Sequence, residues 1–220
     1  MKFLKLAAIT AVLAGFGAPQ MASAVDVNVK FSPRIQDSLS RLDRIEKTRE
    51  VFFRKYREEG ANRRPNAIQN VSRFSGTEFG AERLIPEVDD FSITALAEAM
   101  ATYGLAQTKN HDGANKLVVE IDEFYAANYS LAKFRSFNTR MSGTVSLVDP
   151  TGKTIATQEV STVILPQFSG STSYDGSEYA FLRQSMNVRV APILATFIEK
   201  GIEGLYPDTD VPGPIFLRQR

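Results

Sequence analysis

Few side chains in this sequence have the types and spacing that chemistry needs. Glu120 and Asp122 stand two apart in LVVEIDEF, with Glu123 adjoining. On a strand that spacing puts two carboxylates on one face, where they could ligate calcium or share acid and base work. The same pair is also what an outward strand face carries. His111 is the single histidine. It sits in Lys109-Asn110-His111-Asp112-Gly113, a turn composition that reads as a solvated loop. The loop 166–176, PQFSGSTSYDG, is rich in hydroxyls. It has no G-x-S-x-G, no S-x-x-K and no obvious base, which argues against a serine nucleophile. No phosphate loop or dinucleotide fingerprint occurs. The absence of cysteine excludes thiolate enzymes, Fe–S centres and Cys-ligated zinc. With one histidine, His-rich metal sites and two-histidine mechanisms are excluded too. The sequence therefore offers no catalytic, cofactor-binding or metal-ligating set. A non-enzymatic protein without a cofactor is expected.

The elements that would position such groups begin after an export segment. Residues 1–24 read MKFLKLAAITAVLAGFGAPQMASA: Lys2 and Lys5, an apolar stretch from Leu6 to Phe16, then Gly17 and Pro19, then Ala22-Ser23-Ala24. This is the pattern of a secretory signal peptide of bacterial type, cleaved after Ala24, and it predicts a periplasmic protein. The apolar stretch is too short to span a bilayer, and no later segment is long enough, so the processed chain is not expected to cross a membrane. No cysteine follows the apolar stretch, so no lipobox is present.

Loss of Lys2 and Lys5 leaves 24 basic and 25 acidic residues. The balance is uneven. Residues 25–64 carry 11 Lys/Arg and 7 Asp/Glu, whereas residues 65–220 carry 13 and 18. The basic part could face the acidic body or an anionic lipid surface. It lacks the aromatic platforms of a nucleic-acid module, and no nucleic-acid partner is expected.

Val25 to Phe31 alternates apolar and polar residues, as a half-buried strand does. From Ile35 the period changes. Ile35, Leu39, Leu42, Ile45, Phe52 and Tyr56 form an apolar stripe on a helix over 35–59, closed by Gly60. Its other face mixes Arg41, Arg44, Lys47, Arg54, Lys55 and Arg57 with Asp37, Asp43, Glu46, Glu50 and Glu58. That reads as a solvated face with local pairs such as Glu50–Arg54. Residues 65–90 form an irregular connection, with room for one short strand near 68–74. Asp89-Asp90-Phe91-Ser92 then offers N-cap types before a helix carrying Ile93, Leu96, Ala97 and Met100, with Gly104 as its stop. Strands follow at 116–125, about 134–148 and about 154–165. The last two are joined by Asp149-Pro150-Thr151-Gly152, a turn sequence. Adjacent Ile155 and Ala156 break the alternation of the third strand and predict a bulge. Ser177 is a candidate cap for a final helix carrying Leu182, Met186, Val190, Ile193, Phe197 and Ile198. Pro192 either kinks that helix or occupies the first turn of a shorter one ending near Gly204; Met186 to Val190 also alternates as a strand would. After Tyr206, Pro207, Pro212 and Pro214 predict an extended tail over 207–220, with Ile215-Phe216-Leu217 against the body. The expected fold is α+β: a small, mostly antiparallel sheet of three to five strands with helices on one face, as a single domain over 25–206.

The helix ending in Tyr103-Gly104-Leu105, the strand LVVEIDEF, the hairpin SGTVSLVDPTGKTIATQEV and the closing helix APILATFIEKGIEGLYP resemble a group of small bacterial envelope proteins. That group includes the auxiliary lipoprotein components of ABC transporters that move lipids, and related periplasmic domains. The resemblance covers residues 91–206 and implies helices packed on one face of a small mixed sheet. It supplies no catalytic residues. This chain departs from the lipoprotein members by lacking their anchoring cysteine. Together these features point to a non-catalytic exported protein that binds a partner or assists envelope transport or assembly. The alternatives are a periplasmic hydrolase using Glu120/Asp122 or the Ser-rich loop, and a membrane-surface protein acting through the basic helix 35–59.

Overall fold

The computed structural model describes residues 25–59, 88–109, 113–125, 139–164, 167–169, 176, 178–182 and 189–217. The signal segment, His111, the stretch 68–74, most of the loop 166–176, Ser177 and Met186 lie outside them.

The architecture is α+β. A four-stranded sheet has the order β1 (Asp26–Phe31), β2 (Lys116–Tyr125), β3 (Arg140–Val148), β4 (Thr154–Val163). β1 and β2 run parallel, because two helices intervene between them; β2–β3 and β3–β4 are antiparallel. Those helices are α1 (Pro33–Glu59) and α2 (Ile93–Leu105), and the third is α3 (Val190–Leu205). A second, three-stranded sheet has the order β5 (Phe168–Ser169), β7 (Pro214–Leu217), β6 (Tyr179–Leu182), with both pairs parallel.

The core lies between the main sheet and its helices. α3 packs on β3 and β4, and α2 packs on β1 and along α3. Val29, Leu117, Val119, Ile121, Val145 and Leu147 point inward from the sheet and meet Leu96, Met100, Ile193, Phe197 and Ile202. Small residues allow the helices this close. A Cβ at Gly201 would overlap the Val145 side chain, and one at Gly104 would stand 2.9 Å from both Ile202 and Val211. Gly104 is thus a contact point within α2, whereas the sequence suggested a stop; the helix runs on to Leu105 and is capped at Ala106. Its other end follows the sequence, since the Ser92 side chain accepts the Ala95 N–H at 3.0 Å.

The turn at 149–152 forms as its sequence predicts. Gly152 has φ +87°, and the Asp149 carboxylate accepts the Thr151 hydroxyl (2.6 Å), the Thr151 N–H (2.8 Å) and the Lys153 N–H (2.9 Å). The Thr151 hydroxyl, followed by the Lys153 N–H, holds the Asp149 carboxyl below the usual carboxylate range. The bulge expected in β4 is present: Leu147 pairs with Ala156 but Val148 with Thr154, leaving Ile155 as the extra residue.

Three expectations change. The final helix does not begin near Ser177. Tyr179 to Leu182 is a strand, and Tyr179, Ala180 and Phe181 are buried in succession, as in a parallel sheet covered on both faces. Val190 opens α3, which places Pro192 in its first turn, where the missing N–H costs no helical bond. The stripe on α1 also differs. Ile35 is buried and Leu39 and Leu42 are half-buried, but Ile45 is exposed, and the inward side continues through Glu46 and Glu50. The Phe52 and Tyr56 side chains lie outside the described residues. Finally, the C-terminal segment does more than lie against the body. β7 is the middle strand of the second sheet, with Phe216 and Leu217 fully buried.

Candidate functional site

The carboxylates singled out by spacing stand at an irregularity in β2. β2 and β3 pair Ile121 with Gly143 but Glu123 with Ser142, so Asp122 is the extra residue of a bulge. A bulge shifts the alternation by one residue. Glu120 and Glu123 therefore end up together on the outer face, and Asp122 sits between them at the kink. Gly143 is required opposite: a Cβ there would run into the Glu120 carbonyl oxygen. The kink is tied to the start of α1. Ser32 N–H donates to the Ile121 carbonyl (3.0 Å) and the Ser32 hydroxyl to the Asp122 carbonyl (2.9 Å), while Arg34 reaches Glu123 at 3.4 Å. All three carboxylates are exposed.

The register also defines the outer face of the main sheet. One row across the strands is Lys30, Glu120, Thr144, Glu159, and the next is Asn28, Val118, Ser146, Thr157. Ser146 and Thr157 share a hydroxyl hydrogen bond of 2.9 Å. At the far end Tyr125, Arg140 and Val163 are aligned, with the Arg140 guanidinium 5.7 Å from the centre of the Tyr125 ring. Among the described residues β4 is the outer strand on this side. It spans ten residues with Glu159 its single charge, and Ile155 and Val163 are exposed on it.

A second arrangement was not foreseen. α1 lends carboxylates to the N-termini of both other helices. Asp43 Oδ1 accepts the Ile93 N–H that opens α2 (2.6 Å), and Glu46 Oε2 accepts the Val190 N–H that opens α3 (3.2 Å). The cap residue of α3, Arg189, makes no side-chain cap of its own. Its guanidinium instead turns back to α1, donating to Glu50 Oε2 at 2.9 Å and lying 4.0 Å from Glu46 Oε2. Phe181 covers it, with the ring centre 5.9 Å away. Glu46 also accepts from Arg49 at 2.7 Å. Glu46 and Glu50 are each 1% exposed and Arg189 4%. The predicted solvated Glu50–Arg54 pair is thus replaced: Glu50 is buried against Arg189, and Arg54 donates to the carbonyls of Val88 and Asp89. The sequence did carry a signal for this. Positions 35, 39, 42, 46 and 50 follow one helical face, so Glu46 and Glu50 continue the buried stripe. Charge type masked it.

α3 carries one further group of interest. Burial pushes the Glu199 carboxyl up to about 7, helped by nearby Glu203, Asp210 and Glu178 and opposed by Lys200. No group of three His, Cys, Asp or Glu among the described residues is placed to hold a metal ion. No helix among them is long and apolar enough to cross a membrane. The Ser-rich loop enters the described residues only at Gln167–Ser169 and Gly176, where Phe168 and Ser169 form β5.

Comparison with known proteins finds no matching family model, no matching curated protein and no matching solved structure.

Proposed function

We propose that this chain is a non-catalytic exported protein that works in the periplasm by binding a protein partner, as an accessory component of envelope transport or assembly. The observation that carries this reading is the outer strand β4. It is long, nearly uncharged and flanked by exposed Ile155 and Val163, next to a face lined with Ser142, Thr144, Ser146 and Thr157. Sheets that end free usually blunt such an edge with lysine, proline, a bulge or a covering element; here the bulge at Ile155 lies at one end of β4 and leaves 156–163 in regular register. An unblunted edge can accept a strand from a partner, with main-chain bonds giving affinity and alternate side chains giving selection. The resemblance of 91–206 to transporter-associated envelope proteins and the signal-like segment support the same reading. The test is a pull-down from periplasm with the native protein and an Ile155→Lys/Val163→Lys variant. A stable partner retained by the native protein and lost by the folded variant is expected. No partner, or one indifferent to both lysines, would overturn it.

A second reading has one observation behind it. The outward side of α1 carries exposed Arg41 and Arg44 beside Ile45 and Val51, which are 41% and 64% exposed. Basic and apolar residues side by side suit an anionic lipid surface. This reading expects salt-sensitive co-sedimentation with anionic liposomes, and absence of pelleting at low salt would end it.

A further inference from the structure

The segment that follows α3 folds back over the end of that helix before entering the second sheet. Its grip on the helix is made largely through carboxylates. Glu203 Oε1 accepts the Val211 N–H at 3.1 Å. One turn earlier, the Glu199 carboxyl lies flat against Gly213, where any Cβ would overlap it. Gly213 in turn holds β6, because its carbonyl accepts the Tyr179 N–H at 2.9 Å. Beyond it Phe216 N–H donates to the Gln167 carbonyl at 2.7 Å, which ties in β5. The crossing point of α3, β6 and the returning chain is thus occupied by one half-buried carboxyl group.

The charges facing that group come from α3, the returning segment and the residue before β6. On α3 they are Glu203 and Lys200; on the returning segment, Asp210; just before β6, Glu178. Three of the four are acidic. A proton on Glu199 relieves their repulsion. A neutral Glu199 packs on Gly213 at little cost. An ionised Glu199 sets a charge, incompletely hydrated, against three like charges on the elements that must stay together. The neighbouring cation Lys200 is exposed and acts in the opposite direction.

We propose that residues 206–217 form a proton-controlled latch, held on α3 and β6 while Glu199 is neutral and loosened when it ionises. Loosening weakens β7 between β5 and β6 and leaves the four-stranded sheet in place, since the main sheet shares no strand with the small one. The state of the latch changes around neutral pH, where burial has moved this carboxyl.

The experiment is hydrogen exchange of the full chain by mass spectrometry, corrected for intrinsic exchange rates, between pH 5.5 and 8.5. In the native protein, protection of peptides covering 206–217 is expected to fall several-fold across neutrality while peptides from β2 and β3 hold theirs. Glu199→Gln should flatten the profile of 206–217. Asp210→Asn and Glu178→Gln each remove one repelling charge and should move its midpoint to lower pH.

 Glu178 and Asp210 repel the charge on Glu199 and so raise the pH at which it ionises. Removing either one lets Glu199 ionise at lower pH, so the midpoint moves downward in both variants, and the loss of protection above it becomes smaller. A flat native profile would overturn the proposal. So would equal loss in β2 and β3, or a Glu199→Gln variant that keeps the native profile. If Glu199→Gln fails to fold, an unmoved midpoint in both other variants overturns it.

Discussion

Replacing Arg189 by methionine tests whether α1 and α3 are joined by a coupled buried ion pair. The Arg189 and Glu50 side chains are each 2% exposed and 2.9 Å apart. At an effective dielectric of about 20, charges at that distance attract by about 6 kcal/mol. Desolvation of both groups offsets much of this, so the pair adds little net stability over a well-packed apolar substitute. Breaking it is another matter. Arg189→Met removes the guanidinium that donates to buried Glu50 Oε2 and should cost about 3–5 kcal/mol. For a domain of this size that lowers Tm by about 10 °C. Glu46 is affected less, because Arg49 and the Val190 N–H still face it. Arg189→Met/Glu50→Met removes both charges and should recover most of the loss, giving a coupling energy of at least about 2 kcal/mol in a double-mutant cycle. Urea unfolding followed by circular dichroism measures all four proteins. If Arg189→Met costs under about 1 kcal/mol, or if the two changes simply add, the pair does not join the helices as described.

Other expectations follow from single contacts. Gly143→Ala should destabilise more than Gly201→Ala in the same urea assay: the first meets the Glu120 backbone carbonyl, the second a Val145 side chain that can turn aside. Gly201→Ala should cost about 1–3 kcal/mol, and Val145→Ala in the same chain should relieve part of it. Phe216→Ala empties the centre of the small sheet, where Phe168 and Phe181 lie 6.3 and 6.2 Å away, and should cost about 3–5 kcal/mol. Asp43→Ala removes the acceptor at the start of α2 and should cost about 1 kcal/mol, seen as a lower urea midpoint. Stability should also depend on pH. Folded Glu199 holds its proton up to about 7, above the ordinary value of 4.5, so the folded state binds more protons between those limits. Unfolding free energy therefore falls as pH rises from about 4.5 through about 7. Glu199→Gln should remove that slope in thermal melts.

The main sheet was largely legible in the sequence. Leu117, Val119 and Ile121, and later Val145 and Leu147, alternate with polar neighbours because one face is buried and the other is not. The turn at 149–152 and the bulge at Ile155 were legible for local reasons too. What escaped was decided by distant chain. Arg189 meets Glu50 across 139 residues, so the helical stripe marks Glu50 as inward-facing but nothing near it points to Arg189 as its partner. The small sheet escaped because its strands are short and widely separated: β6 and β7 have four residues each, and β5 two. The carboxylates of β2 were readable as residues but not as geometry, since the bulge at Asp122 depends on how β3 docks.

The position of β7 constrains the order in which the chain can fold. β5 and β6 do not pair with each other; each pairs with β7, which lies later in the sequence than both. The main sheet can assemble from residues 26–163, but the strands at 168 and 179 have no edge to join until 214–217 has emerged. During synthesis, Phe168, Tyr179 and Phe181 therefore wait with their apolar surface uncovered. A ribosome-bound chain stalled shortly after residue 205 should hold a formed β2–β3–β4 hairpin array while its aromatic cluster remains open to holdase chaperones.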